Sequence, residues 1–171
     1  KVLPVDINAS EFYFTAPDSK TIRFGMGALK GMGEGPANAI VEERTKNGPF
    51  KDMEDLVSRL GTKVMSRKVL EVLSTIGAFD SIDPNRRMWL ENVPQIYRSA
   101  QENEENADQM GLFGEESSEM STELVQYKPW DTLERMKKEK SIIGFFFTGS
   151  PMDACREEIK DHFGGLTIKE C

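Results

Sequence analysis

The chain has 171 residues, 38% hydrophobic and 30% charged, a balance that fits one globular domain with an appendage and excludes a fully disordered chain. Its longest apolar run, Ile142–Phe147 interrupted by Gly144, is far shorter than the ~20 residues a membrane helix needs. The net charge of −7 is unevenly spread, with 14 basic and 13 acidic side chains in residues 1–100 against 8 and 16 in 101–171, so the overall sign does not exclude a nucleic-acid surface in the first hundred residues.

The chain starts at Lys1 rather than Met and has no signal-peptide pattern, which suggests a piece of a longer cytoplasmic protein. In chain order, SEFYFT (10–15) and TIRF (21–24) read as two short strands, with the turn-rich APDSK segment making a hairpin. Helical character begins at residue 25. After Gly31–Gly35, the run PANAIVEERTK places Ala37, Ile40, Val41 and Arg44 at helical spacing, with Pro36 in the first turn. Asn47-Gly48-Pro49 stops that helix. Asp52 caps the next, with Met53, Leu56, Val57 and Leu60 as its apolar stripe. Ser66 caps another, with Val69, Leu70, Leu73 and Ile76 inward and Gly77 as its stop. Asp83-Pro84 opens a fourth helix that runs toward Gln101 and bends at Pro94. Residues 101–126 lack apolar periodicity, carry no Lys or Arg, and read as an acidic flexible segment. A charged helix follows at Asp131–Lys140, then a second from Asp153 to about His162, then the start of a strand at 166–168. The fold class expected is mainly α, with a small N-terminal β-hairpin and a C-terminal helical extension.

The first functional signal is Leu29-Lys30-Gly31-Met32-Gly33, followed by Ala37 and Ile40. A helix end, a Gly-apolar-Gly turn and a helix start make a helix-hairpin-helix pattern. Gly31 and Gly33 lack Cβ atoms and can adopt φ > 0, so a nucleic-acid backbone can come close. The N–H groups of the turn and of the first helical residues, Glu34 and Gly35 among them, form a nest for a phosphate oxygen. Met32 turns inward and Lys30 adds a cation. Such a site reads backbone rather than bases, and its binding falls with salt. A degenerate second copy, Ile76-Gly77-Ala78-Phe79, has Phe79 in place of the second glycine. It either contacts a second phosphate, with Arg67, Lys68, Arg86 and Arg87 supplying charge, or only packs.

The second signal is Gln109-Met110-Gly111-Leu112-Phe113, two large apolar anchors inside an acidic tract. Gln109 can donate and accept at the mouth of a pocket while Leu112 and Phe113 fill a cleft. The pattern resembles the short peptide with which bacterial proteins dock on the beta sliding clamp.

These motifs, with VLPVDINAS (2–10), IRFGMGALKGMGEG (22–35), NGPFKDMEDL (47–56), VLEVLSTIGAFDS (69–81) and IIGFFFTGSPMD (142–153), resemble the bacterial DNA polymerase III alpha subunit family of C-family replicative polymerases. The resemblance implies four regions: the end of the fingers at 1–24, a tandem helix-hairpin-helix domain at 25–100, a clamp-binding segment at 101–126, and at 127–171 the lead-in to an oligonucleotide-binding barrel. It also implies duplex DNA, the beta sliding clamp and, through the parent protein, other replicase subunits as partners, at replication forks. Ser150 departs from the family, which usually has His there. The metal-holding aspartates of polymerisation belong upstream, so this region is expected to be non-catalytic, with no cofactor and no metal. The sole histidine, His162, and the cysteines Cys155 and Cys171 provide neither a zinc spacing nor a catalytic set. The competing readings are a helix-hairpin-helix module of a DNA-repair enzyme and a purely protein-interacting helical domain.

Overall fold

The computed structural model describes residues 1–110 and 123–149, with only the backbone of 107–110. Gly111, Leu112, Phe113, Ser150, the expected helix from Asp153 and the strand at 166–168 lie outside the described residues, as do the side chains of Gln109 and Met110. The described part is mainly α, with a three-stranded sheet at its N-terminal end.

The sheet comprises β1 (Val2–Leu3), β2 (Thr15–Asp18) and β3 (Thr21–Arg23) in the order β1-β3-β2. β2 and β3 are antiparallel, as the turn between them requires, and β1 pairs parallel to β3 with Val2 opposite Ile22. The strand expected over 10–15 begins only at Thr15. Ser10 is fully buried and its hydroxyl donates to the Phe24 carbonyl at 2.9 Å. The carbonyls of Glu11 and Phe12 accept from Met26 and Gly27. These bonds draw residues 10–12 into the loop under the sheet and out of a ladder.

Five α-helices follow among the described residues. α1 (Glu34–Asn47) buries Ala37 and Ile40, and Gly48 ends it. α2 (Met53–Leu60) starts at Asp52, whose carboxylate accepts from the Asp55 N–H at 2.8 Å, while Asp55 reaches back to the Lys51 N–H at 2.9 Å. This reciprocal arrangement satisfies two otherwise orphaned donors. α3 (Arg67–Ile76) is capped by Ser66 and ends at Gly77 in the left-handed region with φ 86°. The expected stripes are inside: Met53, Leu56, Val57, Val69, Leu70, Leu73 and Ile76 join one core with Phe79, Trp89, Val93 and Ile96.

α4 (Arg86–Met110) departs from expectation at both ends. It starts two residues after Pro84 because Asn85 is the better cap, its side-chain oxygen accepting from the Met88 N–H at 3.2 Å. Asp83 instead accepts from the Asn85 N–H at 2.7 Å. The helix contains Pro94 and continues through Met110 rather than stopping near Gln101. Glu104 anchors the extension, accepting from both the N–H and the hydroxyl of Thr62 at 2.6 Å each. Beyond the undescribed residues the chain runs back along α4. Asn92, buried, exchanges hydrogen bonds with the Val125 backbone, and Asn85 donates to the Tyr127 carbonyl. α5 (Thr132–Ile143) is capped by Asp131 and ended by Gly144 with φ 90°.

Candidate nucleic-acid interface

The first hairpin lies between a single 3-10 turn at Met26–Ala28, shorter than the helix expected there, and α1. Gly31 has φ 93°, a conformation that favours glycine. Gly33 does not: it is extended, with φ −80° and ψ 161°, at the N-cap of α1. Met32 is buried and its N–H closes the turn on the Leu29 carbonyl at 3.1 Å. Lys30, Gly31, Gly33, Glu34 and Gly35 are all exposed.

Among the described residues, no side chain caps the N-terminus of α1. A helix starts with N–H groups that have no partner within it. At α1 these belong to Gly33, Glu34 and Gly35, since Pro36 has none, and they lie at the positive end of the helix dipole. Packing does not require Gly33 or Gly35 to lack a side chain. A Cβ at Gly35 would meet nothing within 4 Å, and at Gly33 only Pro36 Cδ at 3.5 Å, an ordinary contact. Neither has positive φ.

The basic side chains divide. Lys68 comes from α3 to the first hairpin, its Cε 3.6 Å from where a Cβ of Gly31 would sit. Lys30, Gly31 and Lys68 therefore share one surface, although Lys68 was grouped by sequence with the second hairpin. Arg67, one residue earlier and about 100° around the helix, pairs with Glu71 at 3.0 Å. It lines a shallow groove of about 580 Å³ with Gln95, Tyr97, Arg98 and Gln101 of α4. Arg98 is a cation that sequence alone did not single out. Only its place three residues before Gln101 and after Gln95 on one polar face signalled it.

The second hairpin is a different object. Ile76, Gly77 and Ala78 are buried. The Gly77 N–H bonds to Leu73 and Ser74 carbonyls and the Ala78 N–H to Leu73 at 2.9 Å, so these residues present no free donor to an anion. The first turn of α4 is already served by Asp83 and Asn85. Phe79 is fully buried, 5.4 Å from Trp89 between ring centres. Arg86 lies across Gly77, where a Cβ would overlap its guanidinium. Its side chain is 4% exposed and bonds Asp80 twice over, at 2.7 and 2.9 Å, and Glu139 at 2.7 Å. Burial alone would lower its pKa, but the hydrogen bonds and charge of Asp80, then of Glu139, outweigh it and raise the guanidinium above its ordinary value. Arg87 faces Glu91 at 3.9 Å and the Tyr127 ring.

Among the described residues no group of three or more His, Cys, Asp or Glu side chains is placed to hold a metal ion, and no helix is long and apolar enough to cross a membrane.

A family model described as a helix-hairpin-helix motif matches residues 1–89. Nearly the whole chain is also similar to a segment of the DNA polymerase III subunit alpha of several bacteria. It is 34% identical over 175 residues to that of Escherichia coli strain K12, which covers 99% of the chain. It is 37% identical over 159 residues to that of Neisseria meningitidis serogroup A, covering 92%, and 34% identical over 174 residues to that of Chlamydia pneumoniae, covering 98%. The chain spans about 15% of the Escherichia coli relative's length and 14% of the other two.

Proposed function

The chain belongs to the helix-hairpin-helix family, and on that premise we propose that it is the non-catalytic region with which a bacterial replicative DNA polymerase holds duplex DNA by its backbone, independent of sequence. The observation that carries this is the pair Gly33 and Gly35. Their backbone is ordinary and the space beside them is open, so the fold does not require them to lack side chains. A phosphate approaching the uncapped N–H groups of α1 does require it. Lys30 and Lys68 stand beside that path as point charges. Neutralising phosphates releases counterions, so binding weakens steeply with salt.

Tethering to the beta sliding clamp through Gln109, Met110, Gly111, Leu112 and Phe113 belongs to the same proposal. Its support is the residue pattern alone. Contacts with other replicase subunits, cytoplasmic location at replication forks, and nucleotidyl transfer itself are proposed for the parent protein.

Two experiments test the proposal. Gly35→Ala should keep or raise stability, by up to about 1 kcal/mol for Gly→Ala in a helix, while weakening duplex binding several-fold. Unchanged duplex binding, or a flat salt response in the wild type, removes the backbone-gripping reading. For the clamp, titration of the purified protein with wild type and a Gln109/Leu112/Phe113 triple-alanine variant should show binding only by the wild type. Equal binding by both removes the tether.

A further inference from the structure

α5 touches both hairpins, though nothing in its sequence announces a link to DNA. The Lys30 N–H, one residue before Gly31, donates to the Ile142 carbonyl in the last turn of α5 at 3.1 Å. The Lys30 ammonium lies 3.9 Å from where a Cβ of Gly144, the cap of the same helix, would sit. About one turn back along α5, Glu139 receives Arg86 Nη1 at 2.7 Å, and Arg86 is the side chain that fills the space over Gly77. The second oxygen of Glu139 accepts from the N–H and hydroxyl of Thr148, at 3.2 and 2.9 Å. Arg86 and Glu139 are closed to solvent, with side chains 4% and 1% exposed. Met136 is buried, and Ile142, Ile143 and Phe147 pack against the core.

The geometry points to α5 as a brace between the hairpins, with Glu139 and Arg86 as positioning residues that set the strength of the phosphate grip without touching DNA. This rests on the DNA-binding reading. The second hairpin, with no free donor at Gly77 or Ala78, is rigid because Arg86 joins it to Asp80 and to α5. α5 passes that rigidity to the first hairpin through one backbone bond at Lys30. The loop that must present its N–H groups together is thereby held in a single arrangement. Without the Glu139 anchor, the Ile142 carbonyl drifts from Lys30 and the loop samples other backbone conformations. The apparent affinity then falls by the fraction of time the competent arrangement is populated. The number of phosphates contacted in the complex does not change, so the salt slope stays constant. A residue contacting phosphate directly would lower both.

The test uses the whole 171-residue chain, a short random-sequence duplex and amide hydrogen exchange. In Glu139→Ala the Lys30 amide should exchange at least about tenfold faster while the Leu70 amide in the core keeps its protection. Duplex affinity should fall on the order of tenfold with an unaltered slope of log affinity against log salt. Glu139→Gln keeps an acceptor for Arg86 and should restore most of both. Thr148→Val, which removes one of the three bonds to the carboxylate, gives a smaller change of the same sign and serves if Glu139→Ala does not fold. Unaltered Lys30 exchange in folded Glu139→Ala overturns the brace. Faster Lys30 exchange with undiminished affinity, or a reduced salt slope, overturns the positioning role. A wild type that fails to bind duplex overturns the DNA-binding reading, and the Lys30 amide still decides the brace.

Discussion

Gly77→Ala should be among the most damaging single-methyl additions in this protein, for two separable reasons. Gly77 has φ 86° and ψ 31°, where an L-residue costs about 1–2 kcal/mol. The added Cβ would also overlap Nε, Cζ and Nη2 of Arg86. Arg86 cannot step aside cheaply, because it is 4% exposed and bonded to Asp80 and Glu139. Removing one partner from a buried ion pair costs about 3–5 kcal/mol, since a charge is left uncompensated. The sum, roughly 4–7 kcal/mol, is a large part of the ~5–15 kcal/mol that keeps a domain folded. Gly144→Ala is the control: its φ of 90° and ψ of −7° lie in the same left-handed region, yet a Cβ there meets only Lys30 Nζ at 3.9 Å, an ordinary contact. Urea unfolding at constant m-value reports both. The expected result is a Gly77→Ala loss exceeding that of Gly144→Ala by at least about 2 kcal/mol. A difference under about 0.5 kcal/mol would refute the claim that Arg86 is fixed in place over Gly77.

Three further outcomes are expected. Lys30→Ala and Lys68→Ala should each reduce the slope of log duplex affinity against log salt by about 0.9 if each cation neutralises one phosphate, and a weakened affinity with full slope would contradict such contacts. Asp52→Ala should cost about 1 kcal/mol through the lost cap, seen as a lower thermal midpoint, and an unchanged midpoint would mean that α2 does not depend on Asp52. Because the Arg86 pKa is raised in the folded state, its contribution to stability is complete below the ordinary arginine range and is lost only as pH rises through the still higher folded value. The stability gap between wild type and Arg86→Met should therefore not narrow between about pH 7 and pH 10, and a gap that does narrow over that range would show the ion pair is not built as described.

Local signals carried much of this fold. Asp52 and Ser66 announce helix starts by side chains that reach the N–H three residues on, and Gly77 announces a stop because it alone tolerates φ 86° without cost. The α2 and α3 stripes follow from the helical period. Apart from the start of α4, which the local Asn85 cap decides, the failures share one cause: hydrogen bonds between residues distant in sequence. Residues 101–110 look like solvated loop by composition, yet Glu104 reaches 42 residues back to Thr62 and the helix persists. The Asn92–Val125 bonds span 33 residues and Arg86–Glu139 spans 53. No periodicity encodes such pairs. The site was legible to a similar degree. Gly31 follows from turn chemistry, but the extended backbone of Gly33 and the arrival of Lys68 from α3 depend on how the helices pack.

The two hairpins show what one changed residue entails. At the first, Met32 supplies the inward anchor and Gly33 leaves the entry to α1 bare, so the donors there have no partner among the described residues. At the second, Phe79 stands where that glycine would be. A fully buried phenylalanine against Trp89 adds apolar area to the core, and a hairpin drawn that far inward must satisfy its own backbone. It does so with Leu73 and Ser74 carbonyls, Asp83 and Asn85. Its cation, Arg86, is likewise turned from solvent to Asp80 and Glu139. The same glycine-centred turn thus leaves backbone donors bare when it stays at the surface and makes a structural corner when an aromatic side chain draws it into the core. The corner holds α5 in place, and α5 in turn holds Lys30, the cation beside the open site.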